Sequence, residues 1–319
     1  MIEILIPTYK RKKDLLSNLL LLKKQITNDN LEKQVSIIIS DNCSNDGTEE
    51  SVKDFISSHP EINISYYKQQ ENIGLEKNAV FVLSKANAEY VMFLGDDDYL
   101  HDGYLRYCVS KILEDGKIGS IIPEKKSIAN YINIEDINIS EYRINGGINA
   151  IKSYSHFGNS MSGILLKKNG LLESYLSKKK YRNIYLFIYF LSYNLKKYDS
   201  IYIPRYIIKI TETNTKDWKY DDTALLSEIY KSFYYFRDEL GDKVTADLII
   251  AFSKKHGSRF MIEVLRPISS LIKFHKLLMK IEKINGLKFK LIILFIKHYF
   301  YNLRKGQFSI EKYIIKNSQ

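Results

Sequence analysis

Short apolar runs alternate with amphipathic stretches through the first 125 residues, and this alternation constrains the fold more than any other feature of the chain. The runs lie at residues 3–6, 35–40, 62–67 and 90–94. Between them, apolar residues recur at the spacing of one helix face. Strands that alternate with helices form βαβ units. The sequence therefore predicts an α/β fold, with a mostly parallel, Rossmann-like sheet flanked by helices.

The alternation continues for one more unit and then weakens after Pro123. A helix over residues 102–114 and a strand over 119–123 are expected. Further elements are predicted less regularly: an irregular excursion or edge hairpin at 124–150, a strand at 160–167, a helix at 184–195, and a strand at 200–210 interrupted by Pro204. Helices dominate from Asp222 onward. We expect an α/β domain over residues 1–222 and a helical, basic extension over residues 223–319.

Positive charge is concentrated in this carboxyl-terminal part. The chain of 319 residues carries a net charge of +11, and residues 253–319 hold 15 Lys and Arg against three Glu. Residues 1–252 hold 33 basic and 34 acidic side chains. A basic helical tail fits an anionic membrane surface, which we favour, or a solvated helix face. Nucleic acid is a third possible partner, but nothing else in the sequence suggests it, and it is not expected.

The cysteines and the amino terminus predict a cytoplasmic protein, and the basic tail leaves open a peripheral position at the inner face of the plasma membrane. Cys43 and Cys108 match no metal or redox spacing. The amino-terminal segment resembles a first strand more than a signal peptide. The apolar run at residues 291–296 is too short to span a bilayer, although its helix could lie on one.

Three consecutive carboxylates, Asp96, Asp97 and Asp98, follow the buried fourth strand and Gly95. Adjacent anions repel one another unless they are paired or bound to metal. Carboxylates at the carboxyl end of a parallel strand lie where open α/β sheets bind ligands, and their hard oxygens suit Mg²⁺ or Mn²⁺. The competing interpretation is an acidic loop that caps a helix starting near Asp102.

Polar groups also follow the other three strands of the first half. The loops begin with Pro-Thr-Tyr-Lys-Arg at residue 7, Asp-Asn-Cys-Ser-Asn-Asp-Gly-Thr at residue 41, and Glu-Asn-Ile-Gly at residue 71. Because parallel strands share one carboxyl edge, these loops and the Asp triplet are expected to converge. An aromatic ring, a carboxylate, a glycine turn and a metal site gathered there would form a pocket for a nucleotide diphosphate. Each loop taken alone could equally be an ordinary turn or helix cap.

These motifs resemble the family 2 glycosyltransferases of the GT-A fold. That family has a first strand ending in Pro-x-Tyr-Asn-Arg, a D-[DN]-x-S-x-D-G-T loop, an N-x-G turn and a D-x-D metal motif. All four occur here in order within residues 1–125, with Lys10 in place of the usual Asn. The resemblance implies transfer of a sugar from a nucleotide donor, UDP-sugar being favoured, to a glycan or lipid-linked acceptor. It also implies inversion and a setting in cell-surface polysaccharide or lipopolysaccharide synthesis.

The resemblance further implies the roles of individual residues. Pro7 and Tyr9 would enclose the base, Asp41 would bond a pyrimidine imino group, and Asp96 would bind ribose or metal. Asp98 would hold the metal, Mn²⁺ or Mg²⁺, that bridges the diphosphate. The full set of nucleotide-binding candidates is Pro7, Thr8, Tyr9, Arg11, Asp41, Asn72, Gly74, Lys77, Asp96 and Asp97.

The catalytic base departs from the family pattern. Relatives often carry an Asp or Glu at the start of a helix about ninety residues after the metal motif, yet residues 181–185 here read Tyr-Arg-Asn-Ile-Tyr. The alternatives are His156, Glu173, and the stretch containing Asp221 and Asp222, where a neighbouring Trp could stack on a sugar. We favour that stretch, although either Asp could equally cap a helix.

Two other functions remain open. A nucleotidyltransferase also uses a doubly wound sheet and a metal, but the Gly-rich phosphate loop that it needs after the first strand is absent. A non-catalytic module that binds sugar nucleotides or membranes is compatible with the missing carboxylate at residues 181–185. Turnover of a donor would distinguish this module from an enzyme.

Overall fold

The structure is a computed structural model that describes residues 1–128, 140–211, 222–260, 262 and 266–317. Contacts divide the chain into two compact units, Met1–Thr215 and Lys216–Gln319. The predicted domain boundary, between residues 222 and 223, stays a prediction. The first unit contains one sheet of eight strands. These strands are β1 (Ile2–Thr8), β2 (Val35–Asp41), β3 (Ile64–Lys68), β4 (Tyr90–Phe93), β5 (Ser120–Ile128), β6 (Tyr142–Ile144), β7 (Leu165–Lys167) and β8 (Ser200–Thr211).

The sheet is mostly parallel, as predicted. Its strand order is β3-β2-β1-β4-β7-β5-β8-β6. The pairs β1–β2, β1–β4, β2–β3 and β5–β8 are parallel, whereas β7 is antiparallel to both β4 and β5, and β6 is antiparallel to β8. Because β1 is paired in parallel with both β2 and β4, the carboxyl ends of these three strands lie side by side at one edge of the sheet.

Helices flank the sheet and connect its strands. They are α1 (Lys12–Asn28), α2 (Thr48–Ser58), α3 (Leu75–Lys85), α4 (Tyr104–Glu114), α5 (Ile148–Tyr154), α6 (Leu171–Leu176) and α7 (Leu186–Lys197). All four residues of β4 are buried, as expected for a strand covered on both faces. Ten consecutive residues of α7 are buried as well. This continuous burial explains why α7 lacks the polar face of a surface helix.

Two predicted elements differ from the structure. The excursion predicted from residue 124 is wrong at its start, because β5 continues through Pro123 to Ile128. It can do so because its pairing with β8 shifts register there, from Ile203 directly to Ile207. That shift leaves Pro204, which has no N–H to donate, outside the ladder, so β8 spans the proline as a bulge.

The strand predicted over residues 160–167 is only three residues long. Residues before Leu165 form a turn in which Gly163 has a φ of +79°, a conformation that favours glycine. A side chain at this position would also meet Ile208 at 2.5 Å. The turn carries Ser162 to the edge of the sheet where the Asp triplet lies.

The second unit is helical, as predicted. Its elements are α8 (Asp222–Tyr234), α9 (Arg237–Lys255), which is interrupted by non-helical backbone at Gly241, α10 (Pro267–Lys280) and α11 (Leu287–Asn317). The rings of Phe260, Phe274 and Phe295 pack together, and those of Phe274 and Phe295 stack with centroids 4.1 Å apart. Within the part of the chain that is described, no helix has both the length and the apolar character needed to cross a membrane.

Candidate active site

The loops after β1, β2 and β4 adjoin one another at the shared edge. Thr8 pairs with Asp41 at the ends of β1 and β2, and Pro7 pairs with Ser40 beside them. On the other side of β1, the N–H of Leu94 donates to the carbonyl of Leu5 at 3.0 Å. The predicted convergence of Pro7, Thr8, Asp41 and the residues after β4 thus follows directly from the strand order.

Asp96 lies at the centre of this edge and is almost fully buried, with 5% of its surface exposed. Thr8 Oγ1 donates to Asp96 Oδ2 at 2.7 Å, and Arg11 Nη1 donates to Asp96 Oδ1 at 3.0 Å. Burial raises the pKa of Asp96 to about 7, although the charge of Arg11 opposes this rise. The same Arg11 nitrogen donates to Asp97 Oδ2 at 2.6 Å, so one guanidinium links two of the three carboxylates.

Asp98 is held by a residue from the other half of the sheet. The hydroxyl of Ser162 donates a hydrogen bond to Asp98 Oδ2 and accepts one from the N–H of Gly95 at 2.9 Å. Buried Asn18, in α1, donates to the carbonyls of Gly95 and Asp98, each at 2.9 Å. These contacts fix the path of the acidic loop from two sides. No side-chain cap is present on α4, whose N-cap is Gly103, so the carboxylates do not serve as its cap.

Asp41 ties the second loop together. Its Oδ1 accepts from the N–H of Ser44 at 2.8 Å, and its Oδ2 accepts from the hydroxyl of Tyr66 at 2.6 Å. The side chain of Ser44 accepts in turn from the N–H of Lys10 at 2.7 Å. Lys10 has a φ of +53°. The replacement of the usual Asn by Lys therefore falls at a left-handed position, where Asn costs less than Lys.

Asn72 and Gly74 join the same edge through Asn42. Asn72 Oδ1 accepts from Asn42 Nδ2 at 2.8 Å and from the N–H of Gly74 at 2.9 Å. Tyr9 is exposed over 38% of its surface, and its hydrogen bond with Asn72 lowers the pKa of the phenol. The ring is thus presented at the rim of the site, where a planar base could stack.

Lys77 is exposed in the first turn of α3, and the structure describes no contact between it and the Asp triplet. Its neighbour Asn78, which the sequence analysis did not select, is buried. Asn78 Nδ2 donates to the carbonyl of Ser40 at 2.9 Å, and Asn78 Oδ1 accepts from the Ser40 hydroxyl at 2.6 Å. The sequence signal that could have identified Asn78 is a polar residue at a position of α3 that faces the sheet.

The candidates for the base lie in three settings. His156 belongs to a 3-10 helix, Ser155–Asn159, and its ring centroid lies 4.4 Å from that of Phe157. Asp222 is the first residue of α8, and its side chain, like all of Asp221, lies outside the described residues. Glu173 is exposed in α6. The strand before α6 is β7, and β7 ends where Lys167 pairs with Tyr90, the first residue of β4. The topology therefore starts α6 at the edge of the sheet away from Asp96, which removes Glu173 from the candidates.

Lys125, which the sequence analysis also missed, anchors the segment that carries His156. Its ammonium group donates to the carbonyl of Phe157 at 2.8 Å and to that of Ser160 at 2.5 Å. Burial lowers the pKa of Lys125 to about 7, while the charge of Asp98 acts in the opposite direction. A basic group within electrostatic reach of Asp98 is thus built into β5, which is separated from β4 by β7.

The segment at residues 181–185 contains an ion pair in place of the carboxylate expected there. Arg182 donates from Nε and Nη2 to the two oxygens of Glu76, at 2.8 and 3.0 Å. Glu76 lies in the first turn of α3, just after Gly74. Phe187, five residues further along, contacts Phe93 at the end of β4 with ring centroids 4.9 Å apart. The start of α7 therefore lies near the carboxyl edge of the sheet.

The acidic loop fits a divalent metal in its donor chemistry. Asp96 and Asp98 offer the hard oxygens that Mg²⁺ and Mn²⁺ prefer. A Cβ on Gly95 would lie 2.8 Å from Asp98 Oδ2, so the loop requires glycine for the carboxylate to fold back. No group of three His, Cys, Asp or Glu side chains within the described ranges could hold a metal alone. A metal would therefore take its remaining ligands from the donor diphosphate and water, as Mg²⁺ often does.

Comparisons with known proteins agree with this arrangement. The model of the family described as Glycosyl transferase family 2 matches residues 3–171, just over half of the chain. The abequosyltransferase RfbV of Salmonella typhimurium (strain LT2) is 35% identical over 100 residues, which cover 31% of this chain and 29% of that protein. The match thus spans less than a third of the length of this relative.

Two solved structures share the fold across nearly the whole chain. Residues 1–349 of S. aureus TarS, in complex with UDP-GlcNAc, match with a TM-score of 0.66 and 14% identity, over 97% of this chain and 92% of that one. The mannosyltransferase PcManGT from Pyrobaculum calidifontis, in complex with GDP-Man and Mn²⁺, matches with a TM-score of 0.56 and 14% identity, over 98% and 84%. At this level of identity the likeness concerns the fold.

The fold and the acidic strand ends define a glycosyltransferase of the GT-A type. The extent of the family match identifies the group to which it belongs: this chain is a member of glycosyl transferase family 2. The resemblance inferred from the four motifs is thereby confirmed, as is the expectation of an enzyme. The roles assigned to single residues are not tested by these comparisons, and they remain predictions.

Proposed function

We propose that this glycosyltransferase moves a sugar, with inversion, from a nucleotide diphosphate donor to a glycan or lipid-linked acceptor in cell-surface polysaccharide synthesis. UDP-sugar is the favoured donor. The observation that carries the proposal is the convergence of Tyr9, Asp41, Asn72 and the Asp triplet at one edge of the sheet. TarS with UDP-GlcNAc, PcManGT with GDP-Man and the named abequosyltransferase support a nucleotide-sugar donor.

The donor would lie across the ends of β1, β2 and β4. Tyr9 offers an exposed ring to the base, and the loop from Asp41 to Asn72 supplies hydrogen-bonding groups beside it. Arg11 neutralises Asp96 and Asp97, which otherwise would repel a diphosphate. Thr8 orients the Asp96 carboxylate through its hydroxyl. Gly74 leaves the start of α3, with its unpaired N–H groups and exposed Lys77, open to an anion.

Asp98, with Asp96, would hold Mn²⁺ or Mg²⁺ at the diphosphate. Such an ion, when bound, stabilises the charge that develops on the leaving diphosphate. Ser162 and Asn18 keep the Asp98 loop in place for this purpose, since they contact it from opposite sides. The rigid support matters because displacement of a ligand by a fraction of an ångström weakens such a site.

In the transfer, an acceptor hydroxyl oxygen attacks the anomeric carbon and gives its proton to a base. The bond between that carbon and the diphosphate oxygen breaks, and the diphosphate leaves with the bonding electrons. Asp221, Asp222 and His156 are the candidates for the base. Substituting Asp222→Asn, Asp221→Asn and His156→Gln separately should identify it, because loss of the base lowers kcat about 10²- to 10⁴-fold with little change in donor affinity.

An anionic membrane surface, reached through residues 253–319, is part of the proposal, because a lipid-linked acceptor belongs to a membrane. This partner would locate the enzyme at the inner face of the plasma membrane. The basic excess of this region supports it. Nucleic acid is not expected as a partner.

A panel of nucleotide diphosphates and their sugars, with and without Mn²⁺, tests the donor. Ligands that bind the native state raise the melting temperature by mass action. A shift that requires Mn²⁺ and is specific to one nucleotide would support the proposal, and hydrolysis of that sugar donor would support transfer. No shift and no hydrolysis with any donor would favour the alternative, a non-catalytic sugar-nucleotide or membrane-binding module. The Arg182–Glu76 pair, where relatives often carry the base, is the observation that keeps this alternative open.

A further inference from the structure

Exposed apolar side chains concentrate on two helices of the second unit. Of the seventeen large apolar side chains that are exposed among the described residues, ten lie on α10 and α11. Scattered exposed apolar residues are normal on a protein surface, but a contiguous set is a sign of an interaction site. We therefore considered what these two helices could contact.

On α10 the exposed residues form one stripe. Ile268, Ile272 and Met279 recur at helical spacing, with Leu271 beside them, and each is at least half exposed. Phe274 and Leu277 point the other way and are buried. The helix is thus apolar on two faces, one of which packs against other residues of its unit and one of which is exposed.

Helix α11 repeats the arrangement. Phe289, Ile293, Ile296 and Phe300 are exposed at helical spacing, while Phe295 is buried. Apart from Ile296, the stripe on α11 follows that on α10 at a constant offset of 21 residues, which is also the offset between Phe274 and Phe295. It therefore stands in the same rotational position relative to Phe295 as the first stripe does to Phe274.

We expect the two stripes to lie on one surface. The rings of Phe274 and Phe295 stack at an interplanar angle of 11°, and residues 281–286 connect the helices directly. Each stripe has the same sequence offset from its stacked ring, so the stripes should lie on corresponding sides of this contact. We call the surface made by the two stripes the apolar face.

Basic residues border the apolar face on both helices. Lys276 follows the stripe of α10, and Lys297 stands at the equivalent position of α11; both are exposed. Arg304 continues this border on α11. Between residues 266 and 305 the sequence contains a single acidic side chain, Glu282, which accepts a hydrogen bond from Arg237 at 2.9 Å. The border is therefore positive throughout.

We propose that the apolar face docks on an anionic lipid bilayer, with its Ile and Phe side chains among the acyl chains and its Lys and Arg side chains at the headgroups. This combination is the one that interfacial helices use. A second copy of the chain fits less well, because a symmetric contact would bring two positive borders together. Nucleic acid would leave the central apolar side chains without partners.

The inference rests on the membrane partner named in the proposed function, but its test needs no activity. The full-length chain is sedimented with phosphatidylglycerol vesicles and with phosphatidylcholine vesicles over a range of salt. We expect about tenfold or greater preference for the anionic vesicles, which weakens as salt rises. Sugar transfer to a soluble acceptor, measured separately, would show whether failure of binding and failure of the enzymatic proposal coincide.

Two pairs of substitutions separate the contributions. Ile272→Asp with Ile293→Asp should weaken vesicle binding about tenfold or more, whereas Leu113→Asp, at an exposed apolar residue of α4, should not. Lys276→Glu with Lys297→Glu should remove the preference for anionic lipid, and Lys117→Glu, which is exposed in the first unit, serves as its control. All the positions are exposed, so melting temperatures should stay close to that of the unsubstituted chain.

Three results would overturn the proposal. The first is absence of sedimentation with either vesicle, and the second is equal loss of binding in the test and control variants. The third is a dimer in solution, measured by light scattering, that the Ile272→Asp and Ile293→Asp substitutions convert to a monomer without any vesicle binding. That last result would assign the apolar face to a second copy of the chain.

Discussion

The hydroxyl of Ser162 donates a hydrogen bond to the carboxylate of Asp98, although the two residues are far apart in the sequence. The same hydroxyl accepts from the N–H of Gly95, so a single side chain connects both ends of the acidic loop. Both residues are buried, and a hydrogen bond to a charged partner in such a place contributes about 1.5–3 kcal/mol. Orientation of Asp98 therefore depends on a residue outside the family motif.

Substitution Ser162→Ala should weaken metal-dependent donor binding. Loss of the hydroxyl removes one of the contacts that orient Asp98, and we expect the donor affinity in Mn²⁺ to fall about tenfold, as measured by calorimetry. Ser192→Ala is a matched control, because the hydroxyl of that buried serine donates to the carbonyl of Ile188 within its own helix. Equal donor affinities in the two variants would show that Ser162 does not orient Asp98.

Substitution Asp98→Asn should abolish the metal-dependent part of donor binding and leave the fold intact. An amide keeps the shape of the side chain but loses the negative charge that holds a divalent cation. Calorimetric titration of the nucleotide with and without Mn²⁺ measures the effect. Asp102→Asn, at an exposed carboxylate just beyond the loop, should behave like the unsubstituted chain. Unchanged affinity in Asp98→Asn would remove Asp98 as a metal ligand.

Asp96 should make stability depend on pH. Burial raises its pKa to about 7, so between pH 4 and 7 the native state holds a proton that the unfolded chain has lost. The free energy of unfolding must then fall as pH rises through this range, and it should level off above pH 7. A shift of this size corresponds to a loss on the order of 4 kcal/mol.

The variant Asp96→Asn isolates this effect in metal-free buffer. Urea unfolding at several pH values should give a flatter profile for the variant, because its amide does not titrate. The difference between the two chains should appear between pH 4 and 7 and stay constant above that range. Parallel profiles for the two chains would mean that Asp96 is ionised throughout, as its pairing with Arg11 alone would favour.

Local pattern was sufficient to predict the first four strands, because each contains a short run of apolar and aromatic residues. Most residues of β1, β2 and β4 are buried, whereas β3, at the end of the sheet, is only partly buried. The neighbours of the Asp triplet were harder to foresee. Asn18 and Ser162 are polar residues in apolar surroundings, and nothing in their local sequence names the partner they meet. Family motifs identified Asp98, whereas its support comes from contacts between distant segments.

The later strands show the same limit. Residues 124–128 read as polar, yet they continue β5, because Tyr202 of β8 donates to Glu124 at 2.5 Å and the ammonium of Lys125 has carbonyl partners. Partners such as these make a polar stretch compatible with burial. The side chains of the base candidates Asp221 and Asp222 lie outside the described residues, so their partners stay predictions.

The two cysteines should react very differently with thiol reagents. Cys108 is fully buried, and burial raises its pKa, so its reactive thiolate is suppressed. Cys43 is partly exposed in the loop after β2, where its thiol lies 3.4 Å from the carbonyl of Gln70. We expect one thiol to be modified per native chain, and the nucleotide to protect it. Cys43→Ser should remove the labelling, and modification that a saturating nucleotide does not slow would argue against this loop as part of the donor site.

The Arg182–Glu76 pair should be worth more than an exposed ion pair. Its two parallel hydrogen bonds join the start of α3 to the segment before α7, and the two side chains are only 26% and 16% exposed. A double-mutant cycle with Arg182→Met and Glu76→Gln should give a coupling of about 1 kcal/mol in urea unfolding. The same cycle on Arg106 and Asp29, where the arginine is 69% exposed, should give about half that or less. If the first pair also positions substrate, both of its single variants should lower kcat to a similar extent, whereas coupling without any change in kcat would restrict the pair to holding α3 and α7 together.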